Sequence, residues 1–149
     1  PTESIASSLV PKGSADLIVS FEPGEAVRAL GFLREGGTVV TAAAAQIPVT
    51  AALTGASYDG IEARRYLSEE LGALIVDCNA ICRECASSKV VNVALLGAAF
   101  GTGKLDIENG AFEDALVTLV KPRFLDMNRH AFLCGMEFAQ DAYRKSFCQ

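Results

Sequence analysis

This sequence is short of long apolar runs, basic clusters and histidine. No apolar stretch reaches the roughly 18 residues that a membrane-spanning helix needs. The longest, Val90 to Phe100, is interrupted by Asn92 and Gly97 and fits a buried core helix better. There is no run of Lys or Arg and no arrangement of aromatics for stacking bases. With a formal net charge of −5, this argues against a nucleic-acid surface. His130 is the single histidine, so no Ser/His/Asp arrangement can be assembled. No internal repeat is evident. No signal peptide is visible either, but the chain starts at Pro1 and not at Met, as expected of a fragment or of an N-terminally truncated or processed product. Cysteine is present in an odd number, five, which in a chain of 149 residues points to reduced thiols in the cytoplasm and not to a secreted disulfide scaffold.

Half of the residues are apolar, so a folded core is expected, most simply in one domain spanning 1–149. The organising stretch runs from Ala15 to Val40. An apolar run, Leu17-Ile18-Val19, ends at Phe21-Glu22-Pro23. A helical pattern follows through Leu33, with Val27, Leu30 and Leu33 on one face and Ala26 beside it. Pro23 suits the first turn, and Glu25 places negative charge near the positive helix end. Gly36-Gly37 is read as the helix stop, and Thr38-Val39-Val40 as the opening of a second strand. Strand, helix, strand predicts a right-handed crossover between parallel strands.

Before this unit, Pro1 to Ser14 reads as a loop or edge segment. After it, Pro48 argues against a central strand in the Thr41 to Ala56 stretch. Asp59, with Glu62 three residues on, resembles a capping box for a helix from Gly60 to about Glu70. Ala73 to Asp77 reads as a third buried strand. Helices then follow over about Asn79–Ala86, Lys89–Phe100 (capped by Ser87-Ser88), Glu108–Val120 and Arg123–Ala142. On the last, Phe124, Asn128, Ala131, Gly135 and Phe138 share a face. The expected fold is α/β, a three-layer Rossmann-like arrangement with a mostly parallel sheet and helices on both faces.

Several motifs carry potential chemistry, each with a plainer reading. Cys78-x3-Cys82-x2-Cys85 has the spacing of radical S-adenosylmethionine enzymes, whose thiolates hold a [4Fe–4S] cluster. On a helix the same three simply share one face, and buried cysteine behaves as a small apolar residue. Gly97 to Lys104 resembles a phosphate loop, but Leu105 stands where a Ser or Thr should bind Mg²⁺, and a helix precedes it instead of a strand. His130 and Cys134 are four apart and could share a metal, but two ligands do not make a site, so no metal ligand is assigned. Glu22 and Glu25 follow the carboxyl end of a parallel strand, where open α/β sheets bind ligands. Helix-end charge explains them equally well. Asn92 and Asn128 are expected on apolar helical faces, bonded to loop backbone. These four are the candidates for an active-site edge; the catalytic residues are not identified.

The residues Ala15 to Leu30, Gly36 to Val40, Asn92 to Ala98 and Phe124-x3-Asn128-x2-Ala131-Phe132-x2-Gly135, in that order and spacing, resemble the gamma-type subunit of 2-oxoacid:ferredoxin oxidoreductases. The last pattern points to the indolepyruvate oxidoreductase beta-subunit branch. Members of that family begin with a strand and a GxGGQG turn, and this chain has neither. The resemblance implies a subunit of an enzyme that converts a 2-oxoacid, here an aryl pyruvate, to an acyl-coenzyme A. It implies thiamine diphosphate, Mg²⁺, [4Fe–4S] clusters and coenzyme A on other subunits or at interfaces, with no cofactor bound by this chain alone. It also implies a large thiamine/iron–sulfur partner, ferredoxin as acceptor, room for a homodimer, and no activity of the chain by itself. Two alternatives stand beside it: a non-catalytic Rossmann-like binding or scaffold domain, and a [4Fe–4S] enzyme using the CxxxCxxC run.

Overall fold

The structure, a computed structural model, describes residues 9–43 and 60–147. Among these, the elements run β1 (Ala15–Ser20), α1 (Pro23–Ala29), β2 (Leu33–Ala42), α2 (Gly60–Glu69), β3 (Leu74–Val76), α3 (Cys78–Glu84), α4 (Val91–Gly101), α5 (Asn109–Leu119) and α6 (Leu125–Phe147). Short 3-10 turns at Leu30–Phe32, Ser88–Val90 and Pro122–Phe124 precede β2, α4 and α6. The expectations at Pro48 and for the Asp59 cap lie outside the described residues. No helix among the described residues is long and apolar enough to cross a membrane.

The three strands form one sheet in the order β1-β2-β3, and both pairings are parallel. Alternation along each strand sends neighbours to opposite faces. Val40, Leu74 and Val76 point to a core shared with α3, α4 and α6, and Leu17 packs against it. Val39 points the other way, into a smaller cluster with Ala26 of α1 and Leu67 of α2, flanked by Ile18 and Ile75. The result is the expected three-layer α/β arrangement.

The first crossover differs from expectation in one place. The helix stops at Ala29, a 3-10 turn follows, and Leu33 is already extended at φ −70°, ψ 131°. Gly36-Gly37 therefore does not end a helix. It lies inside β2, where the register with β1 slips: Ala15 pairs with Leu33 and Leu17 with Thr38, so two steps along β1 match five along β2. Gly36 takes φ +70°, which a side chain would strain, and this lets the extra residues loop out. Leu33 still reaches the cluster that holds Val27 and Leu30, but from a strand. The apolar spacing was real; the period behind it changed part-way.

The opposite face is built on an unusually close helix pair. A Cβ on Gly97 of α4 would sit 2.0 Å from the Phe132 carbonyl oxygen of α6, and one on Gly135 would sit 2.0 Å from that of Ala94. Ala94, Ala98, Ala131 and Ala139 line the same seam, all fully buried. Small residues let the two backbones touch. α5 docks on α6 with larger groups. Phe112 stacks on Phe132 at 3.5 Å between ring centres, and Glu113 pairs with Arg129, which holds its carboxyl below the usual range.

Candidate functional site

Parallel α/β sheets bind ligands and partners at the carboxyl ends of their strands. Here that edge is formed by the ends of β1, β2 and β3. β1 ends at Ser20, whose hydroxyl donates to the Glu22 carbonyl at 2.6 Å and accepts from the Glu22 amide at 3.2 Å. This small turn pins the start of α1. Pro23 and Gly24 are buried beneath it, while Phe21 is left 62% exposed. Glu22 is half-buried. Glu25 is exposed in the first helical turn and ion-paired with Arg28, one turn on. Its position fits helix-end charge, so of the two carboxylates only Glu22 stays near the edge without that pairing.

β2 and β3 are tied together just past their ends, where the Ala43 amide donates to the Val76 carbonyl at 2.8 Å. Beside this bond opens a cavity of about 360 Å³ lined by Ala43, Arg64, Ile75, Asp77 and Asn79. Asp77 caps α3, its Oδ1 accepting from the Ala80 amide at 3.0 Å. Arg64 comes from α2 and is exposed at the rim. Sequence reasoning missed this pair. Asp77 could have been found as a capping residue at a strand–helix junction, but nothing in the chain links Arg64 to it.

Asn92 and Asn128 do not behave as expected. Asn92 is exposed on α4. Asn128 is half-buried, and its Nδ2 donates to the Phe124 carbonyl at 2.8 Å, four residues back in the 3-10 turn that leads into its helix. Neither is a buried amide bonded to a distant loop. The reason is the seam described above: where α4 and α6 touch, Gly97, Gly135 and alanines are buried, with Leu95 and Phe132 alongside, and the asparagines fall beside them. Phe124 and Phe138, expected on the same face as Ala131 and Gly135, are likewise 40% and 38% exposed.

The cysteines separate by environment. Cys78 is 3% exposed in the core beside Val76 and Ile81, with Cys82 and Cys85 packed against that core. Burial, then the Cys82 and Asp77 charges, pushes the Cys78 thiol up to about 12. Cys78, Cys82 and Cys85 share the side of α3 that packs into this apolar core, which accounts for their spacing by core packing. The Gly97–Lys104 stretch spans the last turns of α4, with Gly97 buried against α6, which is no cradle for phosphate. His130 and Cys134 do share a face of α6, and Glu84 of α3 meets them there.

The model of the pyruvate ferredoxin/flavodoxin oxidoreductase family matches residues 2–138. The chain belongs to this family. Among curated relatives it is 30% identical over 142 residues to the indolepyruvate oxidoreductase subunit IorB of Thermococcus kodakarensis, covering 93% of this chain and 70% of that one. It is 31% identical over 142 residues to the IorB subunit of Pyrococcus horikoshii, with the same coverage. The IorB subunit of Methanothermobacter thermautotrophicus is 26% identical over 140 residues, 93% of this chain and 71% of that one. No solved structure matches the chain. The resemblance carried by the Ala15–Val40, Asn92–Ala98 and Phe124–Gly135 stretches is thereby upheld, including its indolepyruvate branch.

Proposed function

We propose that the chain is the gamma-type subunit of a thiamine-dependent 2-oxoacid:ferredoxin oxidoreductase, inactive alone and active in the cytoplasm with a large partner subunit. The substrate is an aryl pyruvate such as indolepyruvate, and the product an acyl-coenzyme A. The observation that carries this reading is the family match along residues 2–138, joined to relatives that all bear the name of an indolepyruvate oxidoreductase subunit. Thiamine diphosphate with Mg²⁺ would supply the electron sink and [4Fe–4S] clusters the one-electron path to ferredoxin, on other subunits or at interfaces. The packing of Cys78, Cys82 and Cys85 against the core supports assigning the clusters elsewhere.

The residues of this chain then act by positioning and by excluding water. The turn pinned by Ser20 presents Phe21 at the carboxyl edge as a rigid apolar contact for the partner. Arg64, at the rim of the neighbouring cavity, offers a cation to an anionic group, either the substrate carboxylate or a coenzyme A phosphate. The test is 2-oxoacid-dependent reduction of a viologen dye under anaerobic conditions. The large subunit, this chain and the mixture are assayed separately, and turnover is expected only from the mixture. Turnover by this chain alone would sink the reading. Full turnover by the large subunit alone would leave a non-catalytic scaffold.

A further inference from the structure

The end of α3 and one face of α6 bring three metal-binding side chains to a point. The sequence supplies two of them, since His130 and Cys134 are one helical turn apart. The third, Glu84, is 46 residues away from His130 in the chain. His130 Nε2 lies 2.9 Å from Glu84 Oε1. Cys134 Sγ lies 3.8 Å from the same oxygen and 3.7 Å from His130 Nε2.

These separations are close to those of a coordination shell. Bonds of about 2.3 Å to sulfur and about 2.0–2.1 Å to nitrogen and oxygen at tetrahedral angles place ligand atoms roughly 3.3–3.6 Å apart. The oxygen–nitrogen contact needs to open by about 0.4 Å and the sulfur contacts to close by about 0.2 Å to meet that geometry. Side-chain rotation accomplishes this without moving a helix. The donor set is one imidazole, one thiolate and one carboxylate. That mixture suits zinc and its close relatives, not Mg²⁺ or Ca²⁺, which take oxygen ligands, and not an iron–sulfur cluster, which needs several thiolates. The side chains of His130 and Glu84 are about half exposed, at 49% and 58%, so an ion can enter from solvent and a water can complete the shell.

We propose that Glu84, His130 and Cys134 bind one zinc-class divalent ion that clamps the end of α3 onto α6. On binding, the Cys134 thiol gives its proton to solvent, and the Glu84–His130 hydrogen bond is replaced by bonds to the metal. The two clamped helices cover the same face of the sheet, so the ion ties together a layer otherwise held there by apolar packing and the Glu84–His130 contact. The inference does not depend on the proposed catalytic role.

The experiment is a Co²⁺ titration of the full-length, chelator-stripped and reduced protein, followed by near-ultraviolet and visible absorption. The expected result is a thiolate–cobalt charge-transfer band with intense visible bands, saturating at one ion per chain and erased by Zn²⁺. Cys134→Ser should abolish the charge-transfer band. His130→Gln and Glu84→Gln should each weaken binding by more than about tenfold, a scale that even outer-shell changes reach. Circular dichroism checks that each variant stays folded. Cys82→Ala should keep the full signal. Absence of saturable binding overturns the proposal. So does a band that survives Cys134→Ser and disappears in Cys82→Ala, because the ion would then belong to the α3 cysteines.

Discussion

The two faces of the sheet are covered by opposite strategies. On one, α1 and α2 pack through ordinary aliphatic side chains, with Leu67 at the centre of a small cluster. On the other, α4 and α6 meet through Gly97, Gly135 and a row of alanines, backbone against backbone. The first face is held by the bulk of its side chains. On the second, Val40, Val76 and Leu95 fill the core against the sheet, but the α4–α6 seam itself is held by the absence of side chains, which lets many main-chain atoms reach contact distance at once. A face of the first kind loses stability when atoms are removed, and one of the second kind when atoms are added.

The sharpest way to break this comparison is Gly97→Val. The new Cβ would fall on the Phe132 carbonyl oxygen, a backbone atom that cannot swing aside. We expect about 3 kcal/mol or more of destabilisation, at or above the top of the usual overpacking range, read from urea denaturation. A loss under about 1 kcal/mol would show that the seam can open cheaply, and the contrast between faces would collapse.

Leu67→Ala tests the other face. Leu67 is fully buried, and its truncation should cost about 2–3 kcal/mol. The lower part of the Leu→Ala range is expected because, among the described residues, few buried ones surround it and the site can partly collapse. A larger loss than for Gly97→Val would reverse the ranking of the two faces.

The smallest effect concerns Cys78, on the α4/α6 side. Its thiol is ordinary when unfolded, near 9, and is pushed up to about 12 in the folded chain. A raised folded value contributes stability that is fully present below about pH 9. It is lost as pH rises toward 12, because the unfolded thiol gives up its proton first. Stability measured at pH 8 and at pH 10 should therefore fall more steeply in the parent chain than in Cys78→Ala. Equal slopes would mean that burial does not hold the Cys78 thiol protonated in the folded chain.

Much of the architecture was legible because it rests on local chemistry. Pro23 after an apolar run, the apolar Val90–Phe100 segment and the order of strand, helix and strand all specify elements through short-range spacing. The Gly36-Gly37 pair was misread because glycine permits both a helix stop and a strand irregularity, and only pairing with β1 decides between them. Asn92 and Asn128 were misplaced for a related reason. Helical periodicity tells which residues share a face, but not which part of that face a neighbouring helix will cover.

The sequence by itself determined the fold class, the three strands, the core-facing character of Cys78, Cys82 and Cys85, and the family through its ordered motifs. The first three follow from period, composition and spacing, which are properties of neighbours in the chain, and the family from the resemblance of those motifs to known sequences. Only the tertiary structure decided that α4 and α6 touch through glycine, that Arg64 and Asp77 line one cavity, and that Glu84 joins His130 and Cys134. Each of these depends on which surfaces of distant segments meet, and that is set by the packing of the whole layer around the sheet.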